Sequence, residues 1–463
     1  MKISKNKRIH IIGIGGIGMS GIAEILHGLG YKVQGSDVNL NANIIRLNQR
    51  KIKTFIGHSI NNMKNVDLLV YSSAISKNNT ERKFALKNKI PSISRANILS
   101  QLVKLKKTIA ISGSHGKTTT TSLISSILGA SKLRPTVING GIINDYGTNT
   151  KLGNGEWMIV EADESDGTFV KLQSTISVVT NIDKEHLDFY NNFQNLRKKF
   201  EKFINQVPFY GVAVVCNDDE NLRKIIKKNT STNIITYGCK IPSDIQGKNI
   251  KYLRTGVCFD AIIKNKNKII KNIQLPLYGE YNINNALAAI AVATNLNLNF
   301  LDIKKALSKF SGVQRRLTVR WQNEYIKIID DYAHHPTEIS NVIRGLKKSR
   351  LTNKIIVIFQ PHRYSRLNNL KNEFAKCFCE CDHVMISDVY AAGEKKPINF
   401  DLRKITEKIT KNSKVKVSYY SNNEDLFQFI SIKKSETIFL FLGAGTVTEW
   451  AKDFSRDIKN IYE

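Results

Sequence analysis

The sequence predicts an α/β protein of three domains, each built on a mainly parallel sheet. At 463 residues the chain is long for a single domain, and its 41% hydrophobic content can fill two or three cores. Short apolar runs alternate with helical stretches from end to end, the pattern of parallel sheets covered on both faces. Residues suited to chemistry follow those runs, at the carboxyl ends of strands, where open α/β sheets gather ligands. The expected domains are 1–104, 105–313 and 314–463.

In the first domain, RIHIIGIGG reads as a buried strand and a tight turn, and MSGIAEILHGLG as a helix closing on Gly30. YKVQGSD is a second strand ending at Asp37, and DLLVYSSAI (67–75) a further strand running into a polar loop with Ser72 and Ser73. Gly13-x-Gly15-x-x-Gly18, with Asp37 about twenty residues on, matches the dinucleotide fingerprint. Glycines there let the backbone approach a pyrophosphate, and the helix N-terminus stabilises its charge. The turn suits NAD or a nucleotide diphosphate such as a UDP-sugar; the plainer alternative is a tight turn in an α/β domain. MKISKNKR before this segment imitates a signal peptide, but His10 and the glycines make a poor apolar core, so a cytoplasmic protein is expected.

The second domain opens with a basic connector, QLVKLKK, and the strand TIAIS, followed by SGSHGKTTT (112–120). Gly116-Lys117-Thr118 is the end of a phosphate-binding loop, but the upstream glycine, Gly113, is only three residues before Gly116, where the common pattern has five. Backbone N–H groups would cradle phosphates, Lys117 would neutralise their oxygens, and the Thr118 hydroxyl would bind Mg²⁺. The following helix carries Leu123, Ile124, Ile127 and Leu128 on one face. WMIVEADE, ISVVTNI and GVAVVCND read as core strands, and NINNALAAIAVATNL as a helix. Glu161 ends a strand and offers a hard oxygen to magnesium, while Asp163, Glu164 and Asp166 read equally well as a solvated acidic turn. His186 also follows a strand and, taken alone, is a helix-start histidine.

The third domain runs through YIKIIDDYAHHP, NKIIVIFQPHRYSR, HVMISDVY and TIFLFLGAG, each an apolar run ending in polar or glycine-rich residues. Tyr332 and His334 follow one strand; His362, Arg363 and Arg366 follow another. Cations at strand ends suit a small carboxylate, because the arginine fork can hold it through two bonds. Surface ion pairing is the plainer reading of the arginines.

Charge adds little. Seventy Lys and Arg against 39 Asp and Glu give +31, but the basic residues are scattered and no nucleic-acid-binding module is present, so no specific nucleic acid is expected. No apolar run approaches a membrane span. Six cysteines form no paired framework, as in a cytosolic enzyme with reduced thiols. LKNEFAKCFCE reads as helical, which would turn Cys379 away from Cys377 and Cys381 and disfavour a metal site there. An NAD-dependent oxidoreductase would use the first glycine turn but leave Lys117 and Glu161 idle.

Taken together, GIGGIGMSGIAEIL, GSHGKTTTT, EADESDGTF, YGEYNINNALAAIAVA, DDYAHHPTE, QPHRYSR and DVYAAGEK resemble the Mur ligases, the ATP-dependent amide-forming enzymes of peptidoglycan precursor synthesis. The likeness spans nearly the whole chain in order, and the shortened Gly-x-x-Gly-Lys-Thr loop is typical of that family. It implies a Rossmann-like UDP-substrate domain, a central P-loop ATPase domain and a Rossmann-like C-terminal domain that binds an amino acid. Within the family the motifs are similar to the branch that joins L-alanine to UDP-N-acetylmuramate through an acyl phosphate. The alternative is a sister branch adding a preformed tripeptide.

By motif position, the resemblance implies ATP contacts from Gly113, Ser114, His115, Gly116, Lys117, Thr118 and Thr119, with Asn282 and Asn285 at adenine and Asp330 or Asp331 assisting. Thr118, Glu161 and His186 would surround Mg²⁺, and Arg316 would reach the γ-phosphate. Lys117, His186 and Arg316 are the implied catalytic groups. Gly13, Gly15, Gly16, Gly18, Asp37, Ser72 and Ser73 would hold UDP, and Tyr332, His334, His362, Arg363 and Arg366 the L-alanine. Tyr281 stands where the family usually has histidine. Lysines 198, 199 and 202 lie where other branches carry a carbamoylated lysine, and none is predicted here. A monomer or homodimer is expected.

Overall fold

The computed structural model describes residues 6–72, 74–228, 231–349, 354–430 and 436–462, in two compact units. The first holds Met1–Gly247, Ala261–Ile270 and Asn284–Phe310; the second holds Lys248–Asp260, Lys271–Ile283 and Ser311–Glu463. Among the described residues no helix is long and apolar enough to cross a membrane.

The first unit begins with a five-stranded parallel sheet of β1 (Arg8–Ile12), β2 (Lys32–Asp37), β3 (Lys53–Ile56), β4 (Leu68–Tyr71) and β5 (Ser92–Ser94), ordered β3-β2-β1-β4-β5. Strand order reverses between β1 and β4, and Ile12 pairs with both Ser36 and Tyr71, so Gly13, Asp37 and Ser72 emerge at one edge. Helix α1 (Ile17–Gly28) starts directly from the glycine turn, and α2 (Ala42–Gln49) is capped by the Asn41 side chain.

The same unit carries a larger sheet with β6 (Lys107–Ser112), β7 (Thr136–Ile143), β8 (Thr148–Lys151), β9 (Trp157–Glu161), β10 (Ile176–Val179), β11 (Val212–Cys216) and β12 (Ile234–Gly238), ordered β12-β11-β10-β6-β9-β7-β8. Pairing is parallel except between β7 and β8. These central strands are buried on both faces, which is why they read as unbroken apolar runs rather than as alternating ones. The order continues into β13 (Ile245–Leu253), β14 (Gly256–Ile263) and β15 (Lys268–Leu275), within which the chain passes between the units.

The second unit contains β16 (Thr318–Gln322), β17 (Ile326–Asp331), β18 (Lys354–Phe359), β19 (His383–Ile386), β20 (Lys416–Tyr419) and β21 (Thr437–Leu442), ordered β16-β17-β21-β18-β19-β20. In this six-stranded sheet, among the described residues, β16 and β17 pair antiparallel and the other pairs are parallel. Two cores cover its faces, and strand alternation decides membership: Ile329, Val357 and Leu440 join one, Ile328, Ile356 and Phe439 the other. LKNEFAKCFCE is less helical than its sequence suggests. The helix ends at Phe374, and the backbone tightens into three-residue turns that bury Cys377 and expose Cys379.

Under the first sheet lies a dry polar cluster. Glu81 and His10 are fully buried and pair at 3.3 Å, and the Glu81 carboxylate also accepts from Ser36 Oγ at 2.6 Å and Asn62 Nδ2 at 2.7 Å. Burial alone would raise the Glu81 pKa, but these hydrogen bonds and the His10 charge hold it down to about 2. The folded value lies below the unfolded 4.5, so the stabilisation is complete above that pH and is lost as pH falls towards 2. Glu81→Gln is expected to destabilise the first sheet at neutral pH by roughly 3 kcal/mol. It should also flatten the acid dependence between those two values, both effects read from hydrogen exchange of the β1 and β2 amides.

Candidate active site

The phosphate loop joins β6 to the helix Lys117–Ala130, and left-handed glycines shape it. Gly113 has φ +138°, and a Cβ there would lie 2.0 Å from Thr180 Oγ1; Gly116 has φ +83°, and a Cβ would meet Asn285 Oδ1 at 2.6 Å. The segment after β10 clamps the loop from beside it. His115 N–H donates to Asn181 Oδ1 at 2.9 Å, its carbonyl accepts from Thr180 Oγ1 at 2.6 Å, and its ring Nε2 lies 3.1 Å from Asp183. Ser114 Oγ accepts from the Asp183 N–H at 2.8 Å. The histidine inside the loop is thus an anchor for its backbone.

Lys117 donates to the Gly113 carbonyl at 2.6 Å and forms a buried ion pair with Glu164 at 2.8 Å. Burial works against its charge, yet Glu164, Asp163 and Glu161 outweigh it and hold the ammonium pKa above its usual value. Burial pushes Glu164 up to about 8, with Asp163 and Glu185 adding to the effect against the pull of Lys117. The two shifts have one origin: a single ammonium faces several carboxylates, so the lysine keeps its proton and the one buried acid among them, Glu164, is driven towards neutrality. The acidic stretch is therefore no solvated turn at Glu164, which is 1% exposed.

Glu161 ends β9, where one carboxylate oxygen accepts from Thr118 Oγ1 at 3.1 Å and the other from the Gly140 N–H at 2.7 Å. Burial raises its pKa despite Lys117 and both hydrogen bonds. A half-buried hard-oxygen pair of this kind fits Mg²⁺, since a cation would relieve the partly desolvated charge. His186, held at φ +54°, stands with Glu164 and Glu185, their donor atoms within 4.8 Å of one another. Asn285 reaches the loop helix through Thr120 Oγ1 at 3.2 Å. Thr119 and Asn282 are buried, Asn282 donating to the Tyr278 carbonyl at 2.8 Å.

At the first sheet, Gly13 takes φ +77° and its N–H bonds the Ser36 carbonyl at 2.8 Å. Asp37 accepts from the Gly15 N–H at 2.8 Å, so its carboxylate fixes the turn itself. Gly16 N–H bonds back to Gly13, Ser72 Cβ lies 3.6 Å from where a Gly13 Cβ would stand, and Arg95 lies over Gly18. Ser73 lies outside the described residues. Arg95 was not singled out by its sequence context, yet its charge reaches both Gly18 and Asp163.

In the second unit, rings and cations gather at the ends of β17 and β18. Arg315 and Arg316 stack over Tyr332 at 4.8 and 5.2 Å. Tyr332 meets His334 edge-on at 5.3 Å, His334 meets His362 at 5.6 Å, and His362 stacks on Tyr390 at 5.6 Å. Arg366 Nη1 donates to His362 Nδ1 at 3.1 Å. Burial, with the nearby His334, Arg366 and Arg363, pushes the His362 pKa down to about 3, so the ring is neutral at neutral pH. Arg363 adopts φ +69°, its N–H bound to the Tyr390 carbonyl. Glu338 faces both Arg316, at 3.9 Å, and His334, at 3.5 Å.

The adjacent aspartates point to opposite faces of the sheet. Asp330 pairs with Arg320 at 2.5 Å and accepts from Thr448 Oγ1 at 2.6 Å. Asp331 accepts from the Leu317 and Ala333 N–H groups at 2.7 and 2.8 Å, and burial raises its pKa to about 6 against the pull of Arg316. Tyr390, Glu338 and Arg315 were not assigned from sequence. DVYAAGEK and the first arginine of QRRL were the available signals.

Comparison with known proteins gives this geometry a family. The profile of the Mur ligase family catalytic domain matches residues 8–107, that of the Mur ligase middle domain 111–293, and that of the Mur ligase glutamate ligase domain 315–445. The chain is 45% identical over 457 residues to a protein of Bartonella bacilliformis named UDP-N-acetylmuramate–L-alanine ligase, covering 97% of this chain and 96% of that one. An Agrobacterium fabrum protein of the same name is 43% identical, covering 98% and 97%. A crystal structure of UDP-N-acetylmuramate–alanine ligase from Thermotoga maritima matches with TM-score 0.82 at 29% identity, over 98% of this chain and 99% of that chain. A murein peptide ligase from Psychrobacter arcticus shares the fold with TM-score 0.70 at 23% identity, over 99% and 100%. With its phosphate loop, acidic strand end and arginine-histidine cluster in the order those domains require, the chain belongs to the Mur ligase family.

Proposed function

We propose that the protein joins L-alanine to the lactyl carboxylate of UDP-N-acetylmuramate in peptidoglycan precursor synthesis, with conversion of ATP to ADP and phosphate. The observation that carries this reading is the near full-length likeness to ligases of that name. The phosphate loop, with Lys117 paired to Glu164 and Thr118 bonded to Glu161, supports it, as does the arginine-histidine cluster of the second unit. All six cysteines are free thiols, which suits the cytoplasm.

A carboxylate is a poor acyl donor until one of its oxygens leaves as phosphate. A lactyl carboxylate oxygen forms a bond to the γ-phosphorus of ATP as the bond to ADP breaks. The L-alanine amine then attacks the acyl carbon, the C–N bond forms, phosphate leaves, and the nitrogen loses its proton. The loop N–H groups and Lys117 position and neutralise phosphate oxygens, and Arg316 is assigned to the γ-phosphate by its motif position. Thr118, Glu161 and His186 would hold Mg²⁺, which supplies charge neutralisation to the phosphates. Asn282 and Asn285 line the adenine, and Asp331 orients the segment that carries Tyr332 through its bonds to Leu317 and Ala333. Arg363 and Arg366 receive the L-alanine carboxylate, with His362 neutral beside them, and the first glycine turn holds UDP.

Phosphate release with ATP and Mg²⁺ tests the reading. Turnover is expected only with UDP-N-acetylmuramate and L-alanine together, and Lys117→Ala should lower it by about a thousandfold. Turnover with a tripeptide in place of L-alanine would move the enzyme to the sister branch; turnover independent of the UDP-sugar would overturn the substrate. Glu161→Gln is expected to raise the Mg²⁺ concentration for half-maximal rate by on the order of 10–100-fold, read from magnesium titrations of that assay. Arg366→Ala should raise the KM for L-alanine by roughly 10–100-fold and leave the KM for ATP unchanged.

A further inference from the structure

α1 leaves the glycine turn and lies along β7 and β8 within the first unit. The fit is close: a Cβ on Gly21 would come within 2.3 Å of Thr150 Cγ2. Buried Glu24 accepts from Thr150 Oγ1 at 2.8 Å and from Arg46 Nε at 2.8 Å across this seam.

Fully buried Asn149 sits in the seam. Its Nδ2 donates to the carbonyl of Ile17, the first residue of α1, at 2.7 Å, and to the carbonyl of Asn139 at 3.2 Å. Those two bonds use both amide hydrogens. Its Oδ1 accepts from Arg46 Nη2 at 3.3 Å; Arg46 Nη1 bonds Asn43 Oδ1 at 2.9 Å, and Asn43 Nδ2 bonds the Gly15 carbonyl at 2.8 Å. On the other side, Asn139 Nδ2 donates to Ser122 Oγ at 2.9 Å, and Ser122 Oγ to the Thr118 carbonyl at 2.8 Å. The residue after Asn139 is Gly140, whose N–H holds Glu161. The bridge therefore runs from the glycine turn to the residues beneath the phosphate loop.

We infer that Asn149 is a positioning residue that couples the two sites, so that a nucleotide sugar in the glycine turn and ATP at the phosphate loop bind cooperatively. This rests on the substrate reading proposed above. Asn149 is fully buried and both its amide hydrogens are used, so a shift of the Ile17 carbonyl is passed through the amide to Asn139 and Gly140. The coupling is reciprocal between the two ligands.

Calorimetric titration of the full chain with a non-hydrolysable ATP analogue and Mg²⁺, with and without saturating UDP-N-acetylmuramate, tests this. In the wild type the sugar nucleotide should tighten the analogue by about tenfold, and Asn149→Ala should reduce that ratio below about twofold while either affinity alone changes by less than about threefold. A merely structural role would weaken each ligand alone and leave the ratio intact, which overturns the inference. So does a wild type that binds both ligands independently. A wild type that binds no UDP-sugar overturns the substrate reading, and the inference with it. Ser122→Ala interrupts the same route on the ATP side without opening the seam; should Asn149→Ala fail to fold, an undiminished ratio in Ser122→Ala overturns the coupling. Thr150→Val breaks the seam beside the bridge and should retain the ratio. Its loss there would assign the effect to the seam as a whole and refute the role of Asn149.

Discussion

One ammonium among buried carboxylates organises the nucleotide end of this protein. Lys117 sits where β6 gives way to its helix, and Glu164, Asp163 and Glu161 converge on it from the end of β9. Glu164 is sealed from water and must be paired, and Lys117 supplies the partner at the mouth of the loop. Lys117 is shared among the three acids, Arg95 adds to the charge facing Asp163, and Glu164 is driven towards neutrality. Phosphates compete for the lysine, and a divalent cation would satisfy the acids. The same arrangement that holds the loop together leaves its lysine and carboxylates in reach of a nucleotide's phosphates.

Positioning elsewhere follows from shape. The phosphate loop is narrow because Thr180 and Asn285 leave no room for a Cβ at Gly113 or Gly116. Its backbone is tied to the segment after β10 through His115, so the histidine that marks the short loop acts mainly as a fastener. Around α1, Gly21 and Gly28 play a related part at a larger scale: without side chains they let the helix settle on β8 and Leu152. The first two sheets consequently share one unit.

The glycine turn, the phosphate loop and the strand ends were legible because each is a local backbone requirement. Glycine is favoured at the left-handed φ of Gly13 and Gly116, and the strands on either side are unbroken apolar runs. Less was legible where burial is set by distant parts of the chain. The EADES stretch reads equally well as a solvated turn, and nothing nearby in sequence announces that Glu164 is sealed against Lys117. β13 and β15 are less legible because their lysines and asparagines are interspersed with isoleucines on strands with one exposed face. The helical reading of LKNEFAKCFCE overran the helix by several residues, where Cys377 and Cys381 turn inward.

The sequence by itself determined the α/β class, the location of the two glycine-rich turns, and the residue types that meet at each strand end. Those follow from periodicity and from backbone angles that few residues adopt. Tertiary structure decided which carboxylates are buried, and that Asp330 faces Arg320 while Asp331 faces the loop of Tyr332. It also decided that His362 is neutral, and that Asn149 on β8 meets the start of α1. Each of these depends on the distance between residues remote in the chain and on the exclusion of water around them, quantities that come into being only when the sheets and helices pack.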